Sequence, residues 1–187
     1  MKPHDAEFVA ALLAPARDDS IPPEMDLYAP FLGTWKLAGA HFLPEGQKPV
    51  SGEVVFARVL GGRAIQDVWI FGTEGSGPPR AGTTVRVYDP VERAWNVTWL
   101  DPISRARVQL VARKVGGDIV QIGASADGKP RRWVFSDVAE DRFVWRGEHS
   151  DDDGRTWQLN AEYCAERTAG LVRSPSANRA GSSRAPS

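Results

Sequence analysis

Two histidines and one carboxylate are the residues of this chain whose chemistry stands out. His41 and His149 titrate near neutral pH and can act as general acids or bases. Together with Asp101 they can also form a two-histidine, one-carboxylate metal site. Asp67 and Tyr163 are further candidates for a catalytic role. The spacing of these residues matches no metal or catalytic motif. The plainer interpretation is that the histidines orient a ligand or bind water, and we expect no metal.

The overall composition narrows the classes of partner. The chain has 187 residues and a formal net charge of −1, which favours one domain and disfavours nucleic acid or an anionic membrane as partner. Its one cysteine, Cys164, excludes an internal disulfide and is typical of a reducing compartment. The sequence has no secretory signal and no apolar run of membrane length, so we expect a cytoplasmic protein. Self-association into a homodimer stays open.

Strand-length segments separated by turns fill most of the chain. The turns carry Gly-Gly, Asp-Pro and Asp-Gly pairs, which favour tight reversals. About ten strands are predicted from these signals, over residues 33–42, 52–60, 63–71, 82–88, 94–100, 106–115, 118–125, 131–137, 142–149 and 155–166. The connections are too short for crossover helices, so neighbouring strands pair as antiparallel hairpins. Closure gives the outermost strands a partner, and we expect an all-β, closed, up-and-down antiparallel β-barrel.

Two flanking segments differ from the barrel. Residues 5–14 contain helix formers with one apolar stripe, made of Phe8, Val9, Leu12 and Leu13. A helix this short is unstable alone, so we expect it to pack on one end of the barrel as a plug. Residues 169–187 are rich in Ser, Ala, Arg, Gly and Pro, which predicts a disordered tail. The predicted organisation is a helix and linker over 1–30, a barrel over 31–168 and a tail over 169–187.

The tryptophans indicate which face of each strand points inward, because large aromatic side chains are usually buried. At one rim of an up-and-down barrel, the ends of odd-numbered strands meet the starts of even-numbered strands. Alternation places one inward group at that rim: His41, Trp69, Trp99, Asp101, Trp133, His149 and Trp157. With Trp145, these are the predicted ligand-binding residues. The opposite, packed end collects Trp35, Trp95, Phe143 and Tyr163.

The fourth strand has no tryptophan to set its faces. We expect Val85 and Val87 to point inward because they are apolar, which leaves Arg86 and Tyr88 outside.

Several motifs resemble a known superfamily. Gly33-x-Trp35 in the first strand, the series of antiparallel strands and Arg167 after the last one resemble the calycins, which include lipocalins and fatty-acid-binding proteins. The resemblance implies that Trp35 and Arg167 stack to close the base of the barrel, where the short helix covers it. Over residues 31–168 the chain is similar to a bacterial lipocalin-like family of uncharacterised proteins. The motifs that carry this similarity are Leu60-Gly-Gly-Arg63, Val87-Tyr-Asp-Pro90, Phe143-Val-Trp-Arg-Gly-Glu148 and Ser150-Asp-Asp-Asp-Gly-Arg-Thr-Trp157.

Haem is disfavoured as a cofactor. Nitrobindin-like barrels hold haem through a barrel histidine, but this chain lacks the glycine series of that family after Trp35 and has no histidine in its last strand. We expect no resident cofactor.

The predicted function is the binding of one small hydrophobic or aromatic molecule inside a tryptophan-lined barrel. The alternative is an enzyme on the same barrel, of the isomerase, cyclase or hydratase type, that uses His41, Asp67, His149 or Tyr163. A third interpretation is a barrel filled by its own side chains that serves as an interaction module. The volume of the interior separates the third interpretation from the other two.

Overall fold

The computed structural model describes residues 2–72 and 80–168. One α-helix, α1 (Pro3–Leu12), precedes the strands, and the predicted tail over residues 169–187 lies outside the described residues. The strands are β1 Gly33–Leu43, β2 Gly46–Val59, β3 Ala64–Phe71, β4 Arg80–Asp89, β5 Ala94–Asp101, β6 Ala106–Val115, β7 Asp118–Ser125, β8 Pro130–Ser136, β9 Arg142–His149 and β10 Gln158–Arg167. No helix within the described ranges is both long and apolar enough to cross a membrane.

The ten strands form one closed antiparallel barrel in which each strand pairs with the next along the chain. The barrel is closed by β1 and β10, in a register that runs from Trp35 opposite Arg167 to His41 opposite Ala161. The prediction of a closed up-and-down barrel of about ten strands is therefore confirmed.

Alternation of apolar and polar residues positions the strands, as β6 illustrates. Val108, Leu110 and Ala112 are buried, whereas Arg107 and Gln109 between them are exposed. This period of two residues places one face of the strand in the core and the other in water.

The barrel is closed at one end by an arginine on a tryptophan. The guanidinium carbon of Arg167 lies 4.0 Å from the centre of the Trp35 ring. The same guanidinium donates hydrogen bonds to the carbonyl oxygens of Pro30 and Leu32, each at 2.7 Å. Gly33 has a φ of +111°, and a Cβ atom there would lie 3.2 Å from Nη1 of Arg167. A side chain at position 33 would strain the backbone and crowd the guanidinium.

The plug of this end is the segment after the helix, which corrects one prediction. α1 has no buried residue, and Phe8 is 68% exposed. Instead, Ile21, Tyr28 and Phe31 are almost fully buried. The Tyr28 ring meets the Trp95 ring edge-on, with 5.3 Å between centroids. These buried side chains, two of them large aromatic rings, fill this end of the barrel.

The faces of β4 are opposite to those predicted. Arg86 and Tyr88 point inward, with exposures of 1% and 8%, while Val87 is 44% exposed. The reason is the inward carboxylate of Asp67 on β3, which needs a partner in the apolar interior. Nη1 of Arg86 lies 2.5 Å from Oδ2 of Asp67, and Oδ1 of Asp67 accepts the backbone N–H of Thr84 at 3.0 Å.

Candidate functional site

A cavity of about 350 Å³ lies inside the barrel at the end where the odd-numbered strands finish. Its aromatic wall consists of Trp69, Phe71, Trp99, Trp133, Trp145 and Tyr163, and Phe42 is a further aromatic residue of the lining. Its polar lining consists of His41, Arg80, Thr84, Arg86, Asp101 and Asn160. The barrel interior is therefore open at this end and packed at the other.

The aromatic rings of the wall form a continuous surface. The Trp145 and Tyr163 rings are stacked, with an angle of 8° and 5.2 Å between centroids. Trp69 and Trp133 flank Trp145 at 5.4 Å and 5.6 Å. Trp99 follows Trp133 at 6.2 Å, edge to face. Rings in these arrangements hold one another in place and present flat apolar faces to the cavity.

The placement of Tyr163 corrects the expectation that it belongs to the packed end. It lies in the middle of β10, and its hydroxyl is 2.5 Å from Nε2 of His41 on β1. Burial raises the pKa of Tyr163, so the phenol keeps its proton. Burial, with the charges of Arg80 and Lys48, lowers the pKa of His41, so the imidazole is neutral. A neutral imidazole carries one N–H, so the tautomer of His41 decides which of the two groups donates in this hydrogen bond.

Charged residues gather at the mouth of the cavity, which is bounded by Leu43, Arg80 and Asp101. Nη2 of Arg80 lies 3.2 Å from Oδ2 of Asp101. Oδ1 of Asp101 accepts the backbone N–H groups of Ile103 and Ser104 at 2.8 Å and 3.0 Å. Burial would raise the pKa of Asp101, but hydrogen bonds from the side chain and backbone of Ser104 and from the backbone of Ile103, with the charge of Arg80, together lower it. Asp101 is an anion that closes a turn and holds Arg80.

The floor of the cavity is formed by Thr84 and Arg86, the next inward residues of β4 after Gly82. The Arg86 guanidinium lies over the ring of Tyr28 at 4.7 Å and near the ring of Phe135 at 5.8 Å. These rings belong to the packed end, so Arg86 marks the boundary between the cavity and that end. Asp67, a candidate catalytic residue, is fully buried beneath this floor with both carboxylate oxygens engaged.

Two predicted ligand-binding residues lie outside the cavity wall formed by the described residues. A β-bulge between Leu159 and Ala161 inserts Asn160 into the wall and reverses the faces expected at the start of β10. Trp157 consequently lies on the outer surface, where its ring centre is 4.6 Å from the guanidinium carbon of Arg132. The expectation that Trp157 faces inward is wrong, because alternation in the sequence does not reveal a bulge.

His149 contacts the cavity lining through one hydrogen bond, to Asn160. Its Nδ1 donates to Oδ1 of Asn160 at 2.9 Å, and its Nε2 lies 3.5 Å from a carboxylate oxygen of Asp151. His41 is bonded to Tyr163 instead, so the two histidines belong to separate groups. Within residues 2–72 and 80–168, no group of three His, Cys, Asp or Glu side chains is placed to hold a metal ion.

Six of the eight predicted ligand-binding residues line the cavity: His41, Trp69, Trp99, Asp101, Trp133 and Trp145. Sequence reasoning missed four polar ones: Arg80, Thr84, Arg86 and Asn160. A signal existed for two of them. The hairpin of β4 and β5 brings the start of one strand beside the end of the other, which pairs Arg80 with Asp101. The inward position of Asp67 called for a buried cation, which is Arg86.

Comparison with known proteins supports the fold. No protein-family model and no curated protein matches the sequence. The crystal structure of Rv2717c from M. tuberculosis is similar with a TM-score of 0.55 and 18% identity, over 80% of this chain and 99% of that one. The structure of the S-type phycobiliprotein lyase CpeS from Guillardia theta is similar with a TM-score of 0.55 and 11% identity, over 81% and 96%. At these identities the similarity shows the fold alone, a closed, calycin-like barrel.

Proposed function

We propose that this protein binds one small hydrophobic or aromatic molecule in the cavity of its barrel. The observation that carries the proposal is the continuous aromatic wall around about 350 Å³ of space. This volume is within the range of pockets that enclose small organic ligands. A cavity of this size leaves apolar rings without packing partners on one side, and an apolar ligand supplies those contacts.

The residues proposed to contact the ligand are the aromatic members of the wall, with His41 and Asp101 near the mouth. Membership of the bacterial lipocalin-like calycin family is part of the same proposal. The likeness to a phycobiliprotein lyase agrees with a barrel that accommodates a small molecule.

A cavity-filling variant tests the proposal. Ala161 lines the cavity and is 7% exposed, so Ala161→Leu places additional carbon atoms in the space. We expect this variant to bind the neutral aromatic probe 2-acetylnaphthalene at least about tenfold more weakly than the native chain, as measured by isothermal titration calorimetry. Ala106→Leu, at an exposed position of β6, is the matched control and should bind the probe normally. Equal affinity in both variants would place binding elsewhere.

An enzyme on the same cavity is the second candidate, and the His41–Tyr163 pair favours it. A neutral imidazole bonded to a phenol at the wall of an apolar cavity can transfer a proton in isomerase, cyclase or hydratase chemistry. Native mass spectrometry of the purified protein would identify a bound molecule as candidate substrate. His41→Gln should then abolish turnover of that molecule while its affinity stays within about threefold, whereas parallel loss of affinity would favour a carrier.

A further inference from the structure

Polar atoms without partners surround the floor of the cavity. Among the described residues, six side-chain atoms are buried without a hydrogen bond: Oγ1 of Thr84, Nε of Arg86, both amide atoms of Gln121 and the hydroxyl oxygens of Tyr28 and Ser136. Thr84, Arg86 and Gln121 are each at most 1% exposed. Buried polar groups are nearly always paired, so a group of unpaired ones beside a cavity indicates a missing partner.

The positions of these residues connect them to the ligand cavity. Thr84 and Arg86 are part of its lining. Gln121 on β7 is directly opposite Trp133 on β8, which also lines the cavity. The hydroxyl of Thr84 and the Nε–H of Arg86 are both donors. An acceptor oxygen at the floor is therefore the kind of partner that both of them lack.

The charges at the floor favour an uncharged acceptor. Arg86 is already neutralised by Asp67, whose Oδ2 is 2.5 Å from Nη1 of Arg86. A ligand carboxylate at the floor would place two anions beside one cation in an apolar interior, where like charges repel strongly. The cation at the mouth, Arg80, is a weaker anchor because its side chain is 54% exposed and paired with Asp101.

We infer that the ligand is amphipathic and enters with its polar end first: an apolar or aromatic body lies against the tryptophans, and an uncharged carbonyl or hydroxyl oxygen binds Thr84 and Arg86. This inference rests on the proposed function and specifies its ligand class. Carboxylates of the same shape are disfavoured.

Three probes of nearly equal shape test the inference: 2-acetylnaphthalene, 2-isopropenylnaphthalene and 2-naphthoate. They present a neutral oxygen, a hydrocarbon and an anion on the same rings. In the native chain we expect calorimetry to show the ketone binding about threefold to tenfold more tightly than the hydrocarbon, as one net hydrogen bond provides. We expect 2-naphthoate to bind most weakly.

Thr84→Val is the decisive variant, because it removes the hydroxyl and keeps the shape and the backbone N–H to Asp67. The hydroxyl has no partner among the described residues, so the variant should unfold at the native temperature or above. We expect the ketone to lose its advantage over the hydrocarbon in this variant. Thr83→Val, the same change on the outer face of β4, should retain that advantage.

The results that would contradict the inference differ from those that would contradict the proposed function. If the ketone and the hydrocarbon bind equally to the native chain, or if the ketone keeps its advantage in Thr84→Val, the inference is wrong and the proposed function stands. If 2-naphthoate binds most tightly and Arg80→Gln abolishes that binding, the polar end of the ligand lies at the mouth instead. If none of the three probes binds, both the inference and the proposed function are overturned.

Discussion

His41 and Tyr163 show how the barrel sets the protonation state of single residues. The cavity wall removes water from both side chains, which lowers the pKa of the imidazole and raises the pKa of the phenol. Arg80 and Lys48 act on the pKa of His41 in the same direction as burial. The pair therefore remains a neutral donor and a neutral acceptor in neutral solution.

Acidification is predicted to destabilise the protein through His41. The folded state holds the pKa of His41 below its ordinary value of 6.5, so the unfolded chain binds more protons just below that pH. The free energy of unfolding should accordingly fall as pH drops through about 6.5. His41→Gln, which keeps a hydrogen-bonding side chain, should lose less stability over that range in urea titrations at several pH values.

His4 provides the matched control for this effect. Its side chain is 73% exposed on α1, so His4→Gln should follow the native pH profile. An identical profile in His41→Gln would show that carboxylates, rather than His41, govern the acid response.

The buried ion pair of Asp67 and Arg86 is predicted to behave as a unit. Arg86→Met or Asp67→Leu alone leaves one charge uncompensated in the core, at a cost of about 3–5 kcal/mol in the free energy of unfolding. The double variant removes both charges and should cost much less than the sum of the single changes. Denaturant unfolding of the three variants measures the coupling, and additive costs would contradict it.

At the scale of elements, the sequence predicts the strands better than the contacts that fill and close the barrel. Strand bounds follow from turn residues, and the faces follow from tryptophans wherever a strand contains one. β4 contains no tryptophan, so its apolar pattern predicts that Val87 faces inward. The structure places Arg86 inside instead, because its partner Asp67 lies on β3. The bulge at Asn160 and the burial of Tyr28 likewise depend on three-dimensional packing that local patterns do not encode.

The helix and the plug are predicted to differ in their contribution to stability. Deletion of residues 2–11 removes no buried residue, so it should change the free energy of unfolding by less than about 1 kcal/mol. Phe31→Ala should cost about 3–5 kcal/mol, because the ring is fully buried among aromatic neighbours. Urea denaturation of both variants gives the comparison. A large loss in the deletion variant would mean that α1 caps the barrel after all.

At the scale of the whole molecule, one arginine joins distant parts of the chain. Arg167 stacks on Trp35 and also donates to the carbonyl oxygen of Glu140 at 2.6 Å, in addition to those of Pro30 and Leu32. It thus connects the segment before the barrel, the β8–β9 turn and the last strand. The planar fork of arginine suits this role, which a single ammonium group cannot reproduce.

Arg167→Lys is predicted to destabilise the protein by about 1.5–3 kcal/mol, since hydrogen bonds and the flat stack are lost while the charge is kept. Thermal and urea unfolding measure this loss. Arg142→Lys, on an exposed position of β9, controls for the chemical change itself. A loss as small as that of the control would show that charge alone is sufficient at position 167.

The closed ring of strands also has a consequence for colloidal behaviour. Each strand is hydrogen-bonded to a neighbour on both sides, so no strand among the described residues offers a wholly free row of amide and carbonyl groups on which another molecule could build a sheet. Such rows arise when β1 and β10 separate, and Trp35 and Arg167 stand at one limit of their pairing. Aggregation from the folded state should therefore require the ring of strands to open first. Because the arginine on the tryptophan holds one end of the β1–β10 pairing, we expect it to hinder self-assembly as well as unfolding.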